Sequence, residues 1–167
     1  MASPLIVTAE IGPEDLAWLN DLRRHHYPPD RNRLPAHLTM FHTLPPSAEQ
    51  ELRHLLAGLA SRGPPKAFIA GLMNLGGGVA FRIASEGLDR IRAEIAERLV
   101  GLLTAQDRAG WSPHVTIQNK VSPRDAKSLI QALQGRFDAR PIKVTGLGLH
   151  RYLGGSWETL RAYSFRG

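Results

Sequence analysis

The chain has no cysteine among its 167 residues, which excludes a disulfide framework, a thiolate metal site and a covalent cysteine nucleophile. It also lacks any apolar run approaching the ~18 residues that a membrane-spanning helix needs. Its opening segment offers only Leu5-Ile6-Val7 before Glu10, which is not the pattern of a secretory leader. The expected location is therefore the cytoplasm, and a membrane is not an expected partner. Basic residues are scattered, with no run of five, so no basic tail is present. Gly76-Gly77-Gly78 is followed by no Lys-Ser or Lys-Thr, which argues against a nucleotide P-loop. What remains is a chain that is 43% hydrophobic with a net charge of +6. That composition supports one compact domain over residues 1–167 and favours anionic partners, nucleic acid being the commonest.

Against this plain background stands a repeated tetrapeptide, His37-Leu38-Thr39-Met40 and His114-Val115-Thr116-Ile117. Each is a His-x-Thr with apolar second and fourth positions. Seven histidines and seven threonines placed at random would yield only about 0.3 such matches. The spacing of 77 between the motifs also carries Pro46 onto Pro123, Leu52 onto Leu129 and Leu56 onto Leu133. The chain reads as two related halves.

The rest of the pattern is alternately strand-like and helical. Leu5 to Glu10 reads as a strand, and Gly12-Pro13 opens a helix running toward His26, with Pro at its first position. A polar loop from Pro29 to Pro35 leads to the first motif. Ser47 and Gln50 form a capping-box pattern ahead of Leu52, Leu55, Leu56 and Leu59. Ser122-Pro123 begins the matching helix after the second motif, ending near Gly135. Each helix precedes two strand-like runs about a glycine turn: Ala67–Leu75 with Val79–Ala84, and Ile142–Leu153 with Trp157–Phe165. Between the halves Ser85 caps a helix through Leu88, Ile91, Ile95 and Leu99 to Leu103, and Thr104–Gly110 reads as an exposed linker. The expected fold is α+β: two pseudo-symmetric lobes, each built from one half, with antiparallel sheets facing a central groove that carries both motifs and helices on the outer faces.

On a strand, residues two apart point to the same side. His37 and Thr39 then project together, as do His114 and Thr116, with Leu38, Met40, Val115 and Ile117 in the core. An imidazole titrates near neutrality, so two opposed histidines can serve as base and acid in one displacement at phosphorus. Threonine hydroxyls can donate to the non-bridging phosphate oxygens. No metal is expected: His37 and His42 would face opposite sides of their strand, and no His-Glu-x-x-His helix exists. The same facing argument offers Gln118, Lys120 and Phe41 as further groove residues, and Tyr152 and Trp157 as aromatics able to stack a base at its mouth. Arg31, Arg33 and Arg108 lie in loops beside the motif strands and could steer a phosphate backbone, although loop charge is usually just solvated. His25, His26, His54 and His150 have no partner motif and read as surface or structural residues.

With two intact His-x-Thr motifs at this separation, an apolar residue after each Thr and the two-lobed layout, the chain resembles the 2H phosphoesterases. Within them it is most similar in pattern to the bacterial branch of 2'-5' RNA ligases and cyclic phosphodiesterases. The stretch Leu149-His150-Arg151-Tyr152-Leu153-Gly154-Gly155-Ser156-Trp157-Glu158 also resembles short bacterial members. Members act without metal on 2',3'-cyclic phosphate ends of RNA or on small cyclic nucleotides, and some join or cleave 2'-5' linkages. The resemblance implies His37 and His114 as the acid/base pair, Thr39 and Thr116 as phosphate ligands and no cofactor. The implied partners are RNA ends or nucleotides bearing a cyclic phosphate, with no obligate protein partner. The residues leave open which histidine is acid and which base, and whether the reaction runs as hydrolysis or ligation. A non-catalytic module that holds a nucleotide or RNA end in the same groove is the alternative.

Overall fold

Among the described residues, 3–166, the computed structural model has seven strands and five helices. In chain order they are β1 (Leu5–Ile11), α1 (Pro13–His26), β2 (Leu38–Leu44), α2 (Glu49–Ala60), β3 (Lys66–Asn74) and β4 (Val79–Ala84). There follow α3 (Glu86–Arg98), α4 (Ala105–Arg108), β5 (His114–Gln118), α5 (Pro123–Gln134), β6 (Arg140–Tyr152) and β7 (Trp157–Ser164). No helix among them is long and apolar enough to cross a membrane.

Local signals account for most of the boundaries. Pro13 starts α1, with Glu14 and Asp15 in the first turn and Arg23 to His26 in the last, complementing the helix dipole. Ser85 accepts from the Leu88 amide at 3.1 Å and donates to the Lys66 carbonyl at 2.7 Å, tying the start of α3 to β3. Ser122 accepts from the Asp125 amide at 3.1 Å. Ser47 does not cap, contrary to its pattern: it lies in a 3-10 turn, Pro46–Ala48, and α2 starts at Glu49 without a side-chain cap. The glycine run between β3 and β4 has a packing role. A Cβ on Gly78 would overlap the carbonyl oxygen of Gln118, so the turn can lie against the end of β5, where the Val121 amide donates to the Gly77 carbonyl at 3.0 Å.

The strands form one antiparallel open sheet in the order β2-β1-β6-β3-β4-β5, with β7 also on β6. The long β6 carries it. Its first residues, Arg140–Lys143, pair with β3, while Val144–Arg151 pair with β1 and Gly146–Tyr152 with β7. This corrects the division into halves. The expectation grouped β3 and β4 with the first motif and β6 and β7 with the second, but the hydrogen bonds exchange them. The first motif strand, β2, pairs with β1, which pairs with β6. The second, β5, pairs with β4, which pairs with β3. The repeat is thus strand, helix, motif strand, helix, strand, with the last strand of each repeat placed in the other's sheet and β7 added. The helices seal the apolar faces: α1 packs on β5, α2 on β6 and β7, α3 on β3, and α5 on β3 and β4. Trp18 of α1 stacks on Phe81 of β4 at 5.4 Å, and Phe81 on Phe137 at 6.3 Å.

The segment expected to be an exposed linker, Thr104–Gly110, instead protects an edge. β2 ends the sheet, and its free amides at His42 and Thr43 need acceptors. Asp107 of α4, only 1% exposed, accepts from both, at 2.9 Å each, and from His42 Nδ1 at 3.3 Å. Burial pushes this carboxyl's pKa up, but the bonds from the His42 ring and from the two amides outweigh it and hold the pKa below the ordinary range. Arg92 of α3 closes the arrangement, donating to the Met40 carbonyl at 3.3 Å and the Asp107 carbonyl at 2.5 Å with its guanidinium 4.5 Å from the Phe41 ring. Replacing Asp107 by Ala leaves two part-buried edge amides without their acceptor and should cost about 1–3 kcal/mol in urea unfolding at pH 7. Because the folded pKa is depressed, this stabilisation is present above the unfolded value of about 3.9 and lost as pH falls through the folded one. The gap between wild type and variant should therefore close on acidification; a gap that persists at low pH would assign it to packing.

Candidate active site

Two matching bulges shape the motif strands. On β2, Thr8 and Val7 of β1 face Thr39 and Phe41, leaving Met40 as an extra residue. On β5, Ala80 and Val79 of β4 face Thr116 and Gln118, leaving Ile117 extra. Met40 and Ile117 are the fourth residues of the two tetrapeptides, so the same kink follows each threonine. Up to the bulge alternation holds: Leu38, Met40, Val115 and Ile117 are buried, while His37, Thr39, His114 and Thr116 are half-buried. Beyond it the facing reverses. Phe41, expected in the groove, is wholly buried in the core. Gln118, at the equivalent position, is 6% exposed, and its Oε1 is buried without a hydrogen-bond partner. Lys120 sits in a turn with φ +62° and is exposed.

The four motif side chains line one cavity of about 480 Å³, together with Arg92 and Trp157. Both imidazoles are anchored alike. His37 Nδ1 lies 2.8 Å from the Pro35 carbonyl and His114 Nδ1 2.8 Å from the Ser112 carbonyl, each two residues upstream. A carbonyl only accepts, so Nδ1 carries the proton in each, and Nε2 is left as a proton acceptor when the ring is neutral or a donor when it is charged. Burial pulls the His37 pKa down to about 4; the bond to Pro35 opposes this, and the positive charge of Arg23, with His114 and His150, adds to it. His37 is therefore neutral at pH 7.

His37 is the junction of the site. A second cavity, about 200 Å³, lies on its other side between Thr8, Glu10, His150, Trp157 and Thr159. Trp157 walls both, its ring 4.8 Å from His37 at 63° and 5.2 Å from His150. Tyr152 pairs with Trp157 across the β6–β7 hairpin but is 40% exposed and lines none of the cavities around His37. His150, one of the histidines without a partner motif, is a structural one. It is 7% exposed, and both ring nitrogens are bound, Nε2 to Thr8 Oγ1 at 2.8 Å and Nδ1 to Thr159 Oγ1 at 3.0 Å. Burial lowers its pKa, and burial raises that of Glu10 nearby. A side chain on Gly148 would strike Thr8, Glu10 and His150 together, so glycine keeps this polar pocket open. The signal was present in Gly146-Leu147-Gly148-Leu149-His150, whose alternation puts both leucines in the core and the glycines and His150 on the opposite side. Arg92, from a helix remote in sequence, left no such trace. Among the described residues no three His, Asp or Glu side chains are grouped to hold a metal ion.

This architecture is shared with solved structures. TT0787 of Thermus thermophilus superposes with a TM-score of 0.65 over 98% of both chains at 18% identity. LigT of E. coli does so with a TM-score of 0.61 in its complex with phosphate, at 16% identity over 99% of both chains, and 0.62 in its complex with 3'-AMP, at 17% over the whole of both. These likenesses are of fold. No protein of curated function matches the chain in sequence. Residues 11–156, which contain both His-x-Thr motifs and their bulges, match the sequence pattern of a single family, and the chain is a member of the 2'-5' RNA ligase superfamily.

Proposed function

We propose that the protein is a metal-independent phosphodiesterase that opens 2',3'-cyclic phosphates on RNA ends or small nucleotides. The observation that carries this reading is the pair of imidazoles anchored through Nδ1 to upstream carbonyls, lining one cavity with two threonine hydroxyls. The fold relative LigT was crystallised with phosphate and with 3'-AMP, ligands of the same chemistry.

In this mechanism His37, neutral in the free site, takes a proton from water through Nε2 as the water oxygen bonds to phosphorus. The bond from phosphorus to one ribose oxygen breaks, and His114 protonates that oxygen, leaving a phosphomonoester. Thr39 and Thr116 donate to the non-bridging oxygens, and Arg92 adds positive charge to the cavity. Run with a ribose hydroxyl in place of water, the same steps form a 2'-5' linkage, so ligation is the counterpart activity. Each proton-transfer group contributes about 10²–10⁴-fold.

Purified protein in excess EDTA should hydrolyse nucleoside and short-RNA 2',3'-cyclic phosphates. His37→Ala and His114→Ala should each lower kcat by about 10²–10⁴-fold while a nucleoside 3'-monophosphate still binds. Rates untouched by both changes would remove the catalytic assignment, and binding without turnover in the wild type would leave a nucleotide-binding module. The pH profile tests the division of roles. kcat/KM reports the free enzyme, so its acid limb should fall with a midpoint at about 4, where His37 protonates. A limb well above that would remove the base role from His37.

A further inference from the structure

A third cavity, about 280 Å³, adjoins the motif groove and shares His37 and Thr116 with it. Its walls include three guanidinium groups, from Arg23, Arg31 and Arg33, and no carboxylate. Arg23 is the unusual one. It is 3% exposed and makes no ion pair among the described residues. Its Nε donates to Asn32 Oδ1 at 3.0 Å, its Nη1 to the Thr116 carbonyl at 2.8 Å, and the Tyr27 ring lies 4.4 Å from its guanidinium carbon. These neutral contacts orient the group without cancelling its charge, and a buried charge lacking a counter-ion is costly.

The two loop arginines add to the charge. Arg31 faces only Asp30, at 3.7 Å and well exposed. Arg33 reaches toward the β6–β7 turn: a Cβ on Gly155, where φ is +119°, would sit 3.4 Å from its Nη1. Tying α1 to β5 explains the Arg23 bond to Thr116, but it does not explain why two further arginines line the same space with no carboxylate on its walls. Three such forks match the oxygens of a phosphate.

We infer that this cavity is a second phosphate subsite, holding the phosphate on the 5' side of the nucleotide whose 2',3'-cyclic phosphate lies in the motif groove. The inference rests on the proposed reaction and sharpens its substrate class: a nucleotide carrying a second phosphate on its 5' oxygen. That phosphate is either a terminal monoester or the diester linking the next residue of an RNA. The shared walls His37 and Thr116 place the two cavities side by side, as the two phosphates of one nucleotide require.

Three substrates test it: a nucleoside 2',3'-cyclic phosphate, the same compound with a 5'-phosphate, and a dinucleotide ending in the same cyclic phosphate. At low salt the wild type should favour one or both extended substrates by about 10-fold or more in kcat/KM, mainly through KM, as charge-assisted bonds to the second phosphate require. The preferred one identifies the monoester or the diester as the source. In an Arg31→Ala/Arg33→Ala variant, which removes two of the three arginines from the cavity at exposed loop positions, the ratio should fall toward about 1. Equal use of all three substrates by the wild type, or a ratio unchanged in the variant, overturns the subsite. If no substrate is turned over, the reaction itself fails, and the cavity is then read by calorimetry with a nucleoside 3',5'-bisphosphate against the 3'-monophosphate. Tighter bisphosphate binding that the variant loses supports the subsite, and equal binding overturns it.

Discussion

β6 is hydrogen-bonded to β3 along its first residues and to β1 and β7 along the rest, and this continuous pairing makes one sheet of what are two repeats in sequence. Because the third strand of each repeat is placed beside the other's motif pair, neither half can close its own core alone. The motif strands end up at the two ends of the strand order, yet they line a common cavity. The local geometry of each motif is then repeated with little change: an imidazole anchored through Nδ1 to the carbonyl two residues back, a threonine beside it, and a one-residue bulge after that.

The electrostatics of the site centre on His37. It borders three cavities, one between the motif threonines, one lined by Glu10 and His150, and one lined by arginines. Its low pKa follows from that position, because protein surrounds it on several sides and the nearest charges, Arg23 foremost, are positive. Edge protection and the site also share parts. Arg92 lines the reaction cavity while bonding to Met40 at the bulge and to the α4 segment whose Asp107 caps β2, so the first motif strand is held by the same groups that surround its chemistry.

Much of the fold was legible in the chain. Pro13, Ser85 and Ser122 mark helix starts, and the alternation of His37-Leu38-Thr39-Met40 and His114-Val115-Thr116-Ile117 correctly separated cavity from core. The facing argument failed at Phe41 and Gln118 for one reason: a bulge turns the next residue to the opposite side, and nothing in the residues themselves announces it. Ser47 lost its cap to the 3-10 turn at Pro46, and Thr104–Gly110 looked like a linker because the amides that Asp107 serves lie more than sixty residues earlier. Of the two roles open to His150, surface or structural, the glycine alternation that leads to it favours the structural one that the fold shows.

The α+β class, the seven strands, the four longer helices and the two His-x-Thr motifs are readable in the residues, since these rest on contacts within a few positions: side-chain alternation, capping and helix periodicity. Which strands pair, where the bulges fall and which distant groups share a cavity emerge only when the chain folds. Those choices are made by hydrogen-bond register and charge between segments dozens of residues apart, and no local pattern encodes them. The protonation of His37 belongs with them, because the burial and the positive neighbours that set it exist only once α1, β2, β5 and β6 have come together.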